Sequence, residues 1–209
     1  TFPLVLLQFV VLRVLLALLW RPWGFFERGS DVGAYEQRAR LALRGLQPYL
    51  DYWVEYPPVF PWTASGLKLL SIHFGGTEAA FQVLFSLLLV VFETGTLILI
   101  YRIVTRIWDE PRGLLAAVAY ALLFYPVYIA NRNFDGIAVF FLLLGVYALV
   151  QGHRHSATLA LALGLLTKVF PVAGFPALLS GATLTSRARY LAIALGLVGG
   201  AMLPLALIG

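Results

Sequence analysis

The chain has 209 residues, of which 61% are hydrophobic and only 12% are charged, with a formal net charge of +5. Soluble domains carry about 25% charged residues, so the composition predicts an integral membrane protein. The absence of cysteine excludes disulfides, thiolate catalysis and cysteine-bound metal. The arginines are dispersed among loops, so the positive charge does not indicate a nucleic-acid partner.

Several apolar segments are long enough to cross a bilayer. Hydrocarbon about 30 Å thick requires about 20 apolar residues per helix. Because lipid cannot satisfy backbone polar groups, these segments are predicted to be helices. The fold class is therefore all-α, a polytopic integral membrane protein with a single transmembrane domain over 1–209. The predicted spans lie at about 3–20, 79–101, 113–130, 134–151 and 188–208.

A long polar loop over residues 21–57 separates the first two predicted spans. Inside it, GAYEQRARLALRG predicts a short amphipathic helix, in which Glu36 and Arg40 are four residues apart. The loop also carries Asp31, Asp51 and many tyrosines and tryptophans, whose faces suit sugar rings and lipid headgroups. Such aromatics are equally typical of interface anchors, and Asp31 is well placed to cap the following helix. The residues alone leave both interpretations open.

Two further segments are apolar but interrupted. Residues 58–74 contain a proline, a lysine and a histidine, so the charge pattern leaves open whether they cross the membrane. Residues 156–184 are interrupted by Lys168 and Pro171, which predicts two short helices in a hairpin.

The basic residues predict which side of the membrane each joint faces. Three clusters lie at joints that would share one side: Arg102, Arg106 and Arg112, then Arg154, then Arg187 and Arg189. The positive-inside rule makes that side cytoplasmic. NRNFDG (131–136) and the tip around Lys168 would then face outward. The five arginines of the first loop would by themselves place that loop inside, so its side stays open.

NRNFDG carries more polar groups than a plain turn needs, namely Asn131, Arg132, Asn133 and Asp135. Lys168 also lies in an apolar segment, where a charge costs about 2.5–3.5 kcal/mol at mid-helix and so predicts a partner or a polar cavity. A lone lysine would normally extend to the membrane surface. Together, Arg132 and Lys168 on one side of the membrane indicate a phosphate site.

Two further charges, Arg13 and Glu93, lie well inside predicted spans. Opposite charges in lipid are expected to contact each other. We therefore predict a structural ion pair between the first two spans.

Three motifs in order resemble the opening of GT-C polyprenol-phosphate-sugar glycosyltransferases. They are D-x-x-x-Y, G-x-x-P-Y and Y-P-P, formed here by Asp31, Tyr35, Gly45, Pro48, Tyr49, Tyr56, Pro57 and Pro58. The likeness is to bacterial polyprenol-phosphate-mannose-dependent mannosyltransferases and, more distantly, to the first mannosyltransferase of glycosylphosphatidylinositol synthesis. It continues through ETGTLILIYR (93–102), Asn131 to Asp135 and TKVFP (167–171).

The resemblance implies a fold and a reaction. The fold would be a GT-C-like helical bundle in the inner (plasma) membrane, with a long external first loop and with residues 58–74 as a re-entrant or interfacial segment. The reaction would be inverting transfer of a sugar, mannose favoured, from a polyprenyl-phosphate-sugar donor to a lipid or glycan acceptor at the external face. Asp31 would be the catalytic base, and Arg132 and Lys168 would bind the donor phosphate. The pocket would include Tyr35, Tyr49, Asp51, Tyr56, Asn131, Asn133 and Asp135.

The sequence offers alternatives for the base and for a metal. Asp51 is the alternative to Asp31 as the base, and the outward acids could hold a divalent cation although no His–carboxylate ligand cluster is present. Enzymes of this type are generally longer, so we expect the chain to be the N-terminal part of a longer protein. The alternatives are a non-catalytic transmembrane subunit of a larger membrane complex, bound to other membrane subunits and lipids, or a transporter.

Overall fold

The computed structural model describes residues 1–19, 31–123 and 133–208, and for 204–208 it describes the backbone alone. These residues form helices and connecting turns without any named strand, which confirms the predicted all-α class. The helices are α1 (Phe2–Leu19), α2 (Asp31–Leu43), α3 (Val59–Ile72), α4 (Glu78–Ile107), α5 (Glu110–Leu122), α6 (Asp135–Val150), α7 (Arg154–Thr167), α8 (Phe175–Leu179) and α9 (Leu184–Ile208).

Two of the described helices, α1 and α4, are long and apolar enough to cross a membrane. Only 11% of the α1 segment is buried inside the protein, so α1 presents mostly apolar side chains to its surroundings. A continuous apolar surface of this kind suits lipid rather than water. The helix α6 matches the predicted span 134–151, whereas α5 ends at Leu122 and the rest of the predicted span, 124–130, lies outside the described residues.

The turn between α4 and α5 is fixed by local hydrogen bonds and close packing. Asp109 caps α5, since its side chain accepts a hydrogen bond from the backbone N–H of Arg112 at 2.9 Å. A Cβ atom at Gly113 would lie 2.0 Å from Thr105 Oγ1, so only glycine lets the two helices approach this closely. The two helices therefore form a tight antiparallel pair.

The helices α2 and α3 pack on each other and on the N-terminal half of α4. With 14 residues, α3 is about 21 Å long, which is shorter than the hydrocarbon core. Its lysine, Lys68, is buried and donates to Glu36 Oε1 of α2 at 2.6 Å. Arg40 binds the other oxygen of Glu36 at 3.0 Å, at the spacing that the sequence predicted. The positive charge of Lys68 in segment 58–74 is therefore paired with Glu36 inside the protein.

The predicted hairpin within 156–184 is present. The helix α7 ends at Thr167, Lys168 has an extended backbone, and a short 3₁₀ helix (Phe170–Gly174) leads back into α8. A Cβ at Gly164 would lie 2.9 Å from Pro171 Cβ, so the returning segment packs closely on α7. Lys168 is thus at the tip of the hairpin.

The basic residues and the hairpin tip lie at opposite ends of the helices. Arg106 near the end of α4 donates to Gln151 Oε1 at the end of α6, at 3.3 Å. The rings of His155 in α7 and Tyr190 in α9 are in contact, with centroids 5.3 Å apart. These contacts bring the basic ends of α4, α7 and α9 towards one side. The start of α6 and the end of α7, with Lys168, lie at the other.

Candidate functional site

A cluster of aromatic rings joins the helices at the end opposite the basic residues. Phe60 of α3 is completely buried at its centre. Its ring centroid lies 4.8 Å from that of Tyr35, 4.6 Å from that of Tyr56 and 5.0 Å from that of Phe134. Tyr35 also contacts Phe85 of α4. These rings fix the start of α2, the segment before α3 and the start of α6 relative to one another.

A chain of hydrogen bonds runs along the edge of this cluster. The Tyr35 hydroxyl donates to Asp31 Oδ2 at 3.3 Å, one helical turn away, and lies 3.2 Å from the Tyr56 hydroxyl. Each phenol has one proton and the carboxylate can only accept, so Tyr56 donates to Tyr35 and Tyr35 donates to Asp31. Burial raises the pKa of both phenols, and they therefore remain neutral donors at neutral pH.

The other end of the cluster carries an ion pair between Lys168 and Asp135. The Lys168 ammonium contacts Asp135 Oδ1 and lies 5.3 Å from the centroid of the Tyr56 ring, within the range of a cation–π interaction. Asp135 begins α6 and Lys168 follows the last residue of α7, so each charge complements the dipole of its own helix. Their side chains are 37% and 34% exposed, and a ligand can reach both.

The path from Asp31 to Asp135 thus joins residues that are more than a hundred positions apart in the chain. Tyr35 and Tyr56 connect the carboxylate of α2 to the lysine at the hairpin tip. Five of the residues that the sequence singled out are therefore neighbours at one end of the molecule, namely Asp31, Tyr35, Tyr56, Asp135 and Lys168.

Tyr49 holds the backbone of Tyr56, the central residue of this path, through a hydrogen bond. Its hydroxyl donates to the backbone carbonyl of Tyr56 at 2.6 Å, and burial raises its pKa to about 12. Its backbone has φ +72°, a conformation that bulky residues rarely adopt and that costs about 1–3 kcal/mol. The turn around Tyr49 is therefore held in place by its surroundings.

The remaining polar residues of the predicted pocket are placed differently. Asp51 is exposed, and its carboxylate accepts a hydrogen bond from the backbone N–H of Gln47 at 2.7 Å, which closes a local turn. Asn133 is half-buried next to Phe134. Asn131 and Arg132 lie outside the described residues.

Arg13 and Glu93 do not contact each other in the way the sequence predicted. Arg13 is fully buried, packs over the ring of Phe9 at 4.5 Å, and its guanidinium has no hydrogen-bond partner within the described parts of the chain. Glu93 instead accepts a hydrogen bond from the Tyr120 hydroxyl at 2.5 Å. The phenol of α5 therefore occupies the position that we expected for the guanidinium, and Arg13 interacts with Glu93 only at longer range.

Sequence reasoning missed the partners of two charges. Nothing in the sequence indicated Tyr120 as a partner of Glu93, because the two residues lie in different helices. The pair of Lys68 and Glu36 could have been suspected from their opposite charges in apolar surroundings. Over the described ranges, no group of three or more His, Cys, Asp or Glu side chains could hold a metal ion, and the divalent cation stays a prediction.

Residues 55–208 match the model of the dolichyl-phosphate-mannose-protein mannosyltransferase family, which is most of the chain. The chain belongs to this family. The resemblance to GT-C glycosyltransferases is therefore confirmed, and membership supports glycosyltransferase activity of this type in general. Comparisons with curated proteins and with solved structures gave no significant match.

The matched segment contains only part of the site. It includes Tyr56, Asp135 and Lys168, whereas Asp31 and Tyr35 precede it. Their inclusion in the site rests on the hydrogen bonds that connect them to Tyr56.

Proposed function

We propose that the protein transfers a sugar, mannose favoured, from a polyprenyl-phosphate-sugar donor to a lipid or glycan acceptor, with inversion at the anomeric carbon. The observation that carries the proposal is the continuous path from the Asp31 carboxylate through Tyr35 and Tyr56 to the Lys168 ammonium. It brings a proton acceptor and a cation to one accessible end of the helices, in a chain of the mannosyltransferase family.

Asp31 is the proposed general base. The acceptor hydroxyl attacks the anomeric carbon, its proton passes to the Asp31 carboxylate, and the bond from the anomeric carbon to the phosphate oxygen breaks. The electron pair of that bond leaves with the polyprenyl phosphate. The hydrogen bond from Tyr35 holds one oxygen of Asp31, which orients the other for the acceptor.

Lys168 is the proposed partner of the departing phosphate, on which negative charge develops as the bond breaks. A fixed cation stabilises that charge without reorganising during the reaction. Asp135 and the Tyr56 ring hold the ammonium in place, and a third of the side chain remains exposed for a phosphate oxygen. Arg132, three positions before Asp135, is the proposed second cation.

The proposed location is the external face of the inner (plasma) membrane. The basic residues near the end of α4 and at the starts of α7 and α9 lie away from Lys168. The positive-inside rule favours the cytoplasm for the basic end, and the site then faces outward. In this arrangement α3 lies along the external interface, with the exposed Trp62 at the headgroups.

The test compares two carboxylates in the same loop. The full-length protein is purified and supplied with polyprenyl-phosphate-mannose and a glycolipid acceptor. We expect Asp31→Asn to reduce transfer by about 10²–10⁴-fold, since the base is lost. Asp51→Asn is the matched control and should retain most of the activity, because Asp51 only closes a local turn.

The outcomes separate the candidate functions. Unaltered transfer by Asp31→Asn, with loss of transfer in Asp51→Asn, would move the base to Asp51. No transfer by the wild type, together with robust co-purification of other membrane subunits, would favour the non-catalytic subunit. Unfolding temperatures of both variants in detergent show whether a loss reflects chemistry or folding.

A further inference from the structure

The first turn of α6, which carries Asp135, begins without a side-chain cap. The residue before the helix is Phe134, and it provides no hydrogen bond to the helix start. The first N–H groups of a helix lack internal partners and carry a partial positive charge. Asp135 complements this charge from within the first turn, and a second carboxylate lies close to the same turn.

Glu93 of α4 places that second carboxylate beside Gly136. A Cβ atom built on Gly136 would lie 2.9 Å from Glu93 Oε1, closer than real Cβ contacts come. The carboxylate thus occupies the space next to Gly136 that any larger residue would need. The backbone of Gly136 is helical, so the glycine is required for this close approach and not for an unusual φ angle.

The carboxylate of Glu93 is itself held by two other helices. Its Oε2 atom accepts a hydrogen bond from the Tyr120 hydroxyl of α5 at 2.5 Å. The buried Arg13 of α1 is near enough to attract it electrostatically. Glu93 is only 3% exposed, so neither water nor a large shift can easily replace these contacts.

We propose that Glu93 is a positioning residue for the donor site: by its close approach at Gly136 it sets the place of Asp135 and hence of the Asp135–Lys168 pair. Asp135 precedes Gly136 in the chain and contacts the Lys168 ammonium directly. A displacement of the first turn of α6 therefore moves the carboxylate that orients the lysine. The inference rests on the proposed function insofar as Lys168 binds the donor phosphate.

The test uses Gly136→Ala as the perturbation. Alanine favours helix over glycine, so any loss comes from the clash with Glu93. We expect the donor KM to rise about tenfold and kcat to fall as well, since a misplaced Lys168 binds the donor phosphate less well and stabilises the departing phosphate less. In the double variant Glu93→Asp/Gly136→Ala the shorter carboxylate withdraws by about one C–C bond, 1.5 Å, and the donor KM should return towards the wild-type value.

Gly145→Ala is the matched control in the same helix. A Cβ there would lie 2.8 Å from the Leu161 side chain, so it also clashes, but it is nine residues and about 13 Å further along α6. We expect it to lower the unfolding temperature and leave the donor KM unchanged. An equal rise in KM in this control would mean that any disturbance of α6 has the effect, and would overturn the role of Glu93.

A second readout does not depend on sugar transfer. The chain has two lysines, and Lys68 is buried, so amine labelling followed by peptide mass spectrometry reports Lys168 against an internal reference. Gly136→Ala should raise the labelling rate of Lys168 severalfold, and the double variant should reverse the rise.

The two readouts separate two failures. Unchanged labelling in Gly136→Ala would overturn the positioning role, whatever the sugar-transfer assay shows. The other failure is a wild type that transfers no sugar although Lys168 labelling rises in Gly136→Ala and falls again in the double variant. That outcome would support the influence of Glu93 on the Asp135–Lys168 pair and refute the proposed function.

Discussion

The two lysines of the chain, Lys68 and Lys168, form a natural comparison. Each lies in an apolar segment, and each pairs with a carboxylate from a neighbouring helix, Glu36 or Asp135. They differ in exposure. The Lys68 and Glu36 side chains are 9% and 1% exposed, whereas those of Lys168 and Asp135 are 34% and 37% exposed.

The difference separates a charge buried inside the protein from a charge that a ligand can reach. Lys68 has its donors directed at Glu36 and at the carbonyl of Gly76 at 2.8 Å, inside the packing of α2 on α3. Lys168 lies at a helix end beside the ring of Tyr56, and a third of its side chain is exposed, so a phosphate oxygen can approach. A lysine in an apolar segment therefore indicates that a partner exists, and its exposure decides whether a ligand can join that partner.

The largest expected effect is on stability, through Lys68→Met. Removing one member of a buried pair leaves the other charge without compensation and costs about 3–5 kcal/mol. We expect the lower end of this range because Arg40 still contacts Glu36. The measurement is the unfolding temperature in detergent. The double variant Lys68→Met/Glu36→Leu should recover most of the loss, and a single variant as stable as the wild type would contradict the structural role.

The next effect is on activity, through Lys168→Met. Loss of a cation that stabilises the leaving phosphate should lower kcat/KM about 10²–10³-fold. The partly exposed pair with Asp135 contributes only about 0–1 kcal/mol to folding, so the unfolding temperature should stay near that of the wild type. Steady-state transfer and thermal unfolding of the same preparation test this. A variant that unfolds early and keeps its activity would place Lys168 in the same class as Lys68.

Local patterns in the sequence predicted much of the fold and of the candidate site. The length of the apolar segments predicted the all-α class. The lysine and proline of TKVFP predicted the helix break at Lys168 that the structure shows. The spacing of Glu36 and Arg40 predicted their contact because both lie on one helix face.

Contacts between distant segments of the chain were harder to predict from the sequence. Lys68 finds Glu36 across 32 positions, and Glu93 binds Tyr120 and not Arg13. Several carboxylates and cations could have paired within lipid, and only the packing of whole helices selects among them. The close approach of Glu93 to Gly136 could not be predicted from the sequence for the same reason, since it depends on how α4 and α6 pack against each other.

A smaller effect on activity is expected from Tyr35→Phe. The change removes the hydrogen bond to Asp31, and a bond to a charged group contributes about 1.5–3 kcal/mol, so kcat should fall about tenfold or more. The matched control is Tyr52→Phe, because the Tyr52 hydroxyl is buried and makes no hydrogen bond within the described residues. We expect that control to be neutral or slightly stabilising. Equal losses in the two variants would show that the hydroxyl of Tyr35 has no special role.

The smallest effect is expected from Tyr49→Phe, which removes the hydrogen bond to the Tyr56 carbonyl and should cost about 0.5–1.5 kcal/mol of stability.

The pH dependence of this stability difference identifies the Tyr49 phenol as its source. Burial raises the pKa of Tyr49 from 10.0 to about 12, so the unfolded chain ionises first as the pH rises. The contribution of Tyr49 is fully present below pH 10 and is lost between pH 10 and about 12. Thermal unfolding at pH 8 to 12 should therefore show the wild type approaching the variant as the pH rises. Two parallel curves over this range would mean that the Tyr49 phenol ionises as easily in the folded protein as in the unfolded chain.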